Sequence, residues 1–426
     1  MKTIEPRLPG GFRDYSPKEA AARARMFHIA EEVFRKFNFQ ILDTSRIERA
    51  EVLTGGDSEF DKQIFYIGER NVSDPLALRF DLTVPLARFV AANYSELPHP
   101  FRRYQIGNVW RAEQPQAGRF REFTQCDADI VGASGPTADA EILALACDLL
   151  KELNVEFTLR INSRPLLNAL LSLGGIGELR IPLALRVIDK LEKVGEKEVA
   201  KELEELGGDA KKILGWIKTK RLEDLPGEVN NLVGELAKTI DLLSAFGVPD
   251  SAWRFDLSIA RGLGYYTGIV FETTLDEAPE FGSVLSGGRY DGLTSKFGPL
   301  DLPAVGMSLG ADRLFAALTK IGKLEEFSTN SVVVLNFDAK SELACAEITG
   351  ALRSAGLRAE LYAGEERNLG GQINYALKAG ARVAIICGGE EAAKGVVQVK
   401  NLKERKQKEV PMGEVVGEVK KILTQS

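Results

Sequence analysis

The sequence predicts an α+β fold: a large core built on an antiparallel sheet flanked by helices, interrupted by a helical insertion and followed by a C-terminal mixed-sheet α/β domain. Three observations predict it. Between about residues 60 and 135, short β-type segments (QIFYI, LALRFDLTV, YQIGNVWRA, REFTQCDADIVG) follow one another with little helix between them, the texture of antiparallel pairing. From 178 to 245 Leu and Val recur at i, i+3/i+4 with Lys and Glu between them, and strand-rich sequence flanks this stretch on both sides. Beyond a polar run at 319–330 (TKIGKLEEFSTN) the pattern changes to β-α-β-α-β.

The elements follow in order. Ser16, Pro17 and Glu19 make an S-x-x-E capping box that opens a helix over about 17–37, with Met26, Ile29, Ala30, Val33, Phe34 and Phe37 as its apolar stripe. Residues 38–45 (NFQILDTS) read as a strand. Helices are predicted at about 137–152 and 165–172, with the helical insertion spanning about 172–247. Strands return at 253–259, 266–274 and 283–288, and a strand-to-helix passage occupies 303–318. In the tail, SVVVLNF, LRAELYA, RVAIICGG and VVQVKNL are the strands; helices fall at 340–355, 369–379 and 413–423. At about 100–200 residues per domain, 426 residues divide naturally into a first domain over 1–325 and a second over 331–426.

Composition removes several chemistries. His28 and His99 are the only histidines: His28 lies off the helix stripe and His99 between two prolines, so a histidine relay has no support. Cys126, Cys147, Cys345 and Cys387 form no CxxC pair, and with no apolar leader at the N-terminus they fit a reducing cytoplasm. No apolar run approaches the roughly 18 residues of a membrane span. Neither a GxxxxGK[ST] loop nor a GxGxxG turn is present.

Four segments concentrate polar residues where a plain core would not. Phe101 to Gln125 carries Arg102, Arg103, Arg111, Arg119 and Arg121 against Glu113 and Glu122, a local excess of +3 in a chain of net charge −6. Arg111 and Glu113 alternate with Ala112, which on a strand puts both on one face, where guanidinium forks suit phosphate oxygens; solvated charges on a hairpin would look the same. RGLGYYTGIVFE (261–272) surrounds one arginine with glycines and tyrosines, fitting either a ligand approaching the backbone or a Gly-bulged core strand. In PAVGMSLGADRLFAAL (303–318) Arg313 falls in a first helical turn, where the helix dipole does not favour it, so water or another partner must hold it. In LRFDLTVPLARF (78–89) Asp81 interrupts what reads as an apolar strand, so it faces solvent or holds a cation.

Taken together and in this order, these segments resemble the class II aminoacyl-tRNA synthetases, and specifically the histidyl-tRNA synthetase family. LPGGFRDYSP with the following helix and strand is similar to the first class II motif, FRRYQIGNVWRAE through GRFREFTQCDADIVG to the second, and GMSLGADRL to the third. RGLGYYTGIVFE and SGGRYDGL (286–293) resemble the two segments specific to the histidine enzymes. The resemblance implies that Arg111 binds the ATP α-phosphate, Arg313 clamps the far end of the triphosphate, and Glu113 lies in the adenine and acceptor region. It implies further that Asp81, Thr83 and Gln125 hold the histidine ammonium, and that Asp129 with Tyr266 and Tyr265 meets the imidazole. Arg261 would bridge the histidine carboxylate and the α-phosphate. Mg²⁺ with ATP, a homodimer built through the first motif, and tRNA(His) bound through the C-terminal domain complete the implied set.

Gly264 departs from the family, many members of which carry Asp there, and DLT (81–83) with QCDAD (125–129) leans toward its eukaryote-like branch. A second reading is the non-catalytic, synthetase-like regulatory subunit of ATP phosphoribosyltransferase. That paralogue lacks the anticodon-binding domain and degrades the ATP contacts, whereas Arg111, Arg261, Arg313 and the tail from 331 are all present here. Charge is also distributed unevenly: residues 1–330 carry −8, residues 331–426 carry +2, and 351–408 within them +5, a local surplus suited to a phosphate backbone.

Overall fold

The computed structural model describes residues 4–55, 63–69, 72–113, 120–260, 266–324 and 331–424. The chain divides into two compact units at residues 324 and 325, the second taking with it Tyr15–Arg23.

The first helix, Pro17–Lys36, opens as expected: the Ser16 N–H and Oγ both donate to Glu19 Oε2, at 2.8 and 2.7 Å. The strand expected at 38–45 shrinks to β1 (Gln40–Ile41): Asn38 takes a positive φ of 59° before it, and the Leu42 N–H makes the last backbone bond to β5, to the Tyr104 carbonyl at 2.9 Å. A small antiparallel sheet follows, β2 (Ile47–Arg49), β3 (Phe65–Ile67) and β4 (Leu76–Leu78), in the order β2-β4-β3. The long hairpin β5 (Phe101–Trp110) and β6 (Glu122–Val131) leads to β7 (Phe157–Ser163), β8 (Trp253–Phe255), β9 (Ile269–Leu275), β10 (Ser283–Tyr290) and β11 (Ala304–Gly310). With β1 these form an eight-stranded sheet in the order β1-β5-β6-β11-β10-β9-β7-β8. Only the outer pairs β1–β5 and β7–β8 are parallel. The sheet is therefore mostly antiparallel, as predicted.

One face of this sheet is apolar. Cys126, Ala128 and Ile130 of β6 and Val305, Met307 and Leu309 of β11 are all buried. The helices Pro136–Glu152 and Ala311–Lys320 belong to this face: Arg289 donates to Asp139 of the first, and the Thr124 N–H to Asp312 of the second. Between β7 and β8 the chain is helical, from Arg164–Leu173 and Ile181–Asp189 through Glu196–Glu205 and Ala210–Ile217 to Asn230–Ala245, and the last of these packs on Pro136–Glu152.

The second unit holds a five-stranded sheet in the order β13-β12-β14-β15-β16: β12 (Ser331–Val334), β13 (Arg358–Leu361), β14 (Val383–Ile386), β15 (Val396–Asn401) and β16 (Lys406–Pro411). β13, β12 and β14 run parallel and β15 and β16 antiparallel, the mixed sheet expected, with helices Glu342–Ser354, Leu369–Lys378 and Val415–Thr424. Among the described residues no helix is long and apolar enough to cross a membrane. All four cysteines are free and buried.

Candidate active site

The other face of the large sheet is polar. Side chains alternate along a strand, so Gln125, Asp127 and Asp129 of β6 share one face. Antiparallel register sets Arg103 of β5 opposite Asp129, Gln105 opposite Asp127 and Gly107 opposite Gln125. On the other flank Gly306, Ser308 and Gly310 of β11 stand opposite the same three residues, and Gly288 of β10 stands opposite Gly306. The glycines are spaces for their neighbours. A Cβ at Gly306 would sit 1.9 Å from Asp129 Oδ1, one at Gly107 2.5 Å from Arg79 Nη2, and one at Gly288 2.8 Å from the Tyr266 ring.

Asp129 is 3% exposed; its Oδ1 accepts from the Tyr290 hydroxyl at 2.5 Å and its Oδ2 lies 2.7 Å from Nη2 of the fully buried Arg103. Burial raises the Asp129 carboxyl above its usual range, while the Arg103 charge and the Tyr290 hydrogen bond pull it back. Burial also raises the Tyr266 phenol, with Asp129, Asp127 and Glu272 adding to the effect, so Tyr266 stays a neutral donor. Gln125 donates from Nε2 to Ser308 Oγ at 3.0 Å.

Two sequence expectations are corrected here. Asp81 does not interrupt a strand. β4 stops at Leu78 and a helix begins at Thr83 (Thr83–Asn93), with Asp81 Oδ1 accepting from the Val84 N–H at 3.0 Å. Pro85, in the first turn where an N–H has no intrahelical acceptor, suits that start. This helix packs Leu86, Ala87 and Val90 on Val131 and Tyr290 at one end of the polar face, and the Leu82 carbonyl accepts from Arg103 Nη2 at 3.3 Å. Asp81 and Thr83 therefore stand at the mouth of the polar row. Burial raises the Asp81 carboxyl, offset by the Val84 N–H and the Arg111 charge.

Nor do Arg111 and Glu113 share a strand face, because β5 ends at Trp110 and both lie in the connection beyond it. Arg111 is held by other means: its N–H donates to the Arg121 carbonyl at 2.8 Å, its Nε to the Phe80 carbonyl at 3.2 Å, and its guanidinium lies 4.9 Å from the Phe123 ring centre. Glu113 is exposed and offers its carbonyl to Arg121 Nε at 3.1 Å. Arg313 sits in the first turn of Ala311–Lys320, as expected, and the partner it needs is a backbone carbonyl: Nη1 donates to Ser283 O. Arg111 and Arg313 lie at the same end of the sheet, where β5 and β11 end and β6 and β10 begin. Arg261, Gly264 and Tyr265 lie outside the described residues. His28 and His99 are exposed, away from this face.

Sequence reasoning did not single out Arg103, Asp127, Tyr290 or Ser308. The signal for Asp127 was in the strand pattern: any residue midway between Gln125 and Asp129 must share their face. Among the described residues, Nε and Nη1 of Arg103, Oε1 of Gln125 and Oδ1 of Asp127 are buried without a hydrogen-bond partner. Orphaned polar atoms cost too much to gather by chance, so the cluster reads as a surface built for a polar guest.

The comparisons with known proteins agree with this architecture. The histidyl-tRNA synthetase family model matches residues 11–314 and an anticodon binding domain model matches 331–422. A histidine–tRNA ligase of Rhodopirellula baltica is 42% identical over 96% of this chain and 96% of that protein. The crystal structure of histidyl-tRNA synthetase from Nostoc sp. PCC 7120 superposes with a TM-score of 0.88 at 33% identity, covering 98% of this chain and 100% of that one. A Bacillus halodurans chain described as an ATP phosphoribosyltransferase regulatory subunit/histidyl-tRNA synthetase shares the fold alone, at 24% identity and a TM-score of 0.75 over 91% of this chain and 100% of that one. With a family model spanning the first unit's sheet and polar face, and a relative 42% identical along nearly the whole length, the chain belongs to the histidyl-tRNA synthetase family.

Proposed function

We propose that the chain, a histidine–tRNA ligase by family, activates its amino acid on the polar face of the eight-stranded sheet, with Arg111, Arg261 and Arg313 handling ATP and the β6 row handling histidine. The observation that carries this reading is the cluster of unpartnered buried atoms on Arg103, Gln125 and Asp127, beside the clamped Asp129 on one sheet face. Asp81, Thr83 and Gln125 receive the ammonium group. Asp129 and Tyr266, with Tyr265, meet the two imidazole nitrogens as acceptor and donor; a site built on such a polar pair rejects apolar isosteres strongly. Asp129 is held for this task by Arg103 and Tyr290, so the imidazole meets a fixed carboxylate.

The histidine carboxylate attacks the α-phosphorus of ATP, forming the acyl–phosphate bond as the bond to pyrophosphate breaks. A terminal ribose hydroxyl of tRNA(His) then attacks the acyl carbon and AMP leaves. The carboxylate is ionised at neutral pH, so the first step needs no general base. What the protein supplies is alignment and positive charge around the phosphate: Arg111 at the α-phosphate, Arg261 between it and the amino-acid carboxylate, Arg313 at the far phosphates, and Glu113 in the adenine and acceptor region. Among the described residues no three His, Cys, Asp or Glu side chains cluster as a metal site. Mg²⁺ would accordingly ride on the ATP phosphates, a mode in which it needs few protein ligands. The second unit, with its +5 surplus over 351–408, takes the anticodon arm. Catalytic domain 1–325 and anticodon-binding domain 331–426 act within a cytoplasmic homodimer.

Histidine-dependent exchange of labelled pyrophosphate into ATP tests the reading, and its absence with purified protein, ATP, Mg²⁺ and histidine would overturn it. Arg261→Ala should abolish exchange with thermal unfolding unchanged. Asp129→Ala should raise the histidine KM far more than the ATP KM; equal effects would remove the imidazole from Asp129.

A further inference from the structure

Asp127 is used by none of these steps, yet it lies in the middle of the row, 2% exposed, with Oδ1 buried and unpartnered. Its cross-strand neighbour does not engage it. Gln105 donates to Asp43 Oδ1 and accepts from the Thr44 hydroxyl, both at 3.2 Å. Ser308, opposite Asp127 on the other flank, receives Gln125 Nε2 at 3.0 Å and hydrogen-bonds Asp127, so the three side chains form one linked unit. That link leaves two free acceptors on one face of one strand, Gln125 Oε1 and Asp127 Oδ1. Two adjacent buried acceptors without a donor match a group that brings several N–H bonds and no lone pair, and an α-ammonium is such a group.

The charges around Asp127 come from every element packed on it: Arg103 across β5, Asp129 beside it on β6, Asp81 and Arg79 from the segment leading into the Thr83–Asn93 helix, and Tyr266 over Gly288. Burial, reinforced by Asp129 and Asp81 and opposed by Arg103 and the Ser308 hydrogen bond, pushes the Asp127 carboxyl up to about 7. Resting on the placement of histidine over this face, we propose that Asp127 is a further substrate-binding residue, which holds a proton in the histidine-free enzyme and loses it to solvent when the α-ammonium group docks between Gln125 Oε1 and Asp127 Oδ1. The O–H bond breaks heterolytically, the buffer takes the proton, and the carboxylate left behind is the counter-ion of the ammonium.

Calorimetric titration of histidine into the full-length enzyme, in two buffers of different ionisation enthalpy, counts the protons released. At pH 7 the wild type should release about half a proton more per histidine than Asp127→Asn, and the excess should vanish by pH 9. The titration of histidine itself is common to both proteins and cancels. Asp127→Asn should bind histidine about ten- to a hundredfold more weakly at pH 8, with the gap closing below pH 6. A second arm needs no variant: 3-(imidazol-4-yl)propionate, which lacks the amine, should bind the wild type without the extra proton. Equal proton counts for wild type and Asp127→Asn at pH 7, or the same release with the amine-free analogue, would overturn the proposal. If Gln125→Ala and Asp129→Asn bind histidine as the wild type does, the placement of histidine on this face has failed and the proposal falls with it. If those variants lose histidine while the proton counts agree, the role of Asp127 alone has failed.

Discussion

The two sheets of this synthetase use their second face differently. In the five-stranded sheet both faces are apolar: Val332, Val334, Val383 and Ile385 point into one cluster with Ile348 and Leu352, while Val333, Leu335, Ala384 and Ile386 point into another with Tyr362 and Ala376. Near-continuous apolar strands of this kind are what helices on both faces require. The eight-stranded sheet buries aliphatic residues on one face only; on the other it aligns Arg103, Gln125, Asp127 and Asp129 and leaves several of their atoms unpartnered. A sheet with two apolar faces has no interior position left for chemistry, so recognition there must use its outer helix surfaces, loops and edge strand. A sheet that tolerates a row of buried charge forgoes stability where it binds.

The largest expected effect breaks the polar face at the end proposed for the phosphates. Arg111→Ala should lower histidine-dependent pyrophosphate exchange by about a thousandfold, the scale of removing one preorganised cation from a developing charge. Losing its hydrogen bond to the Phe80 carbonyl and its contact with Phe123 should lower the melting temperature by only a few degrees. An effect under tenfold would mean that the end of the sheet marked by Arg111 and Arg313 does not hold the phosphates.

In the second sheet, Ile385→Ala removes a fully buried side chain between two apolar layers and should destabilise that unit by about 2–5 kcal/mol in a denaturant titration. Exchange at 25 °C should be unchanged, since the site proposed for the amino acid and ATP lies on the other sheet. A parallel loss of exchange would erase the division of labour drawn above. Gly306→Ala sharpens the same contrast from the polar side: its Cβ has no room beside the Asp129 carboxylate, so the carboxylate must swing away from the Arg103–Tyr290 clamp. Displacements of that size cost about a hundredfold, expected here in kcat/KM for histidine with the ATP KM spared.

How much of this was legible in the sequence differs between the sheets in the same way. Apolar periodicity located most helices and most strands, because burial dictates period, but it did not find the Thr83–Asn93 helix. It missed β16, whose KQKEVP carries a single buried side chain, Val410, and which pairs through its backbone at the sheet edge. It misread Asp81 because an apolar run broken by one acid looks like a strand, whereas here the acid secures a helix start. It extended β5 to Glu113 because alternation continues after the ladder has ended. Of the candidate site residues, Arg111, Arg313 and the segment holding Tyr266 stood out by residue pattern, and the family resemblance gave them roles and added Gln125 and Asp129. The pairing of Arg103 and Tyr290 with Asp129 carries no local mark, since the two lie 26 and 161 positions from it in the chain and register alone brings them together.

The smallest expected effect concerns the cost of the polar face, and its sign is the test. The folded enzyme holds the proton of Asp127 up to about pH 7, whereas an unfolded chain releases it near pH 4. Stability from this group is therefore complete below about pH 4, declines as pH rises, and is fully lost above about pH 7. Asp127→Asn keeps the shape of the protonated form and cannot ionise, so it escapes the decline. In chemical denaturation the variant should gain on the wild type as pH increases, its advantage growing by about 2.6 kcal/mol between pH 5 and pH 8. A buried acid that merely served the fold would show the opposite trend: its ion-paired carboxylate would be favoured at high pH, and the variant would lose ground there. A variant that becomes relatively more stable at pH 8 while binding histidine less well would identify Asp127 as a residue retained for its ligand at the expense of its sheet.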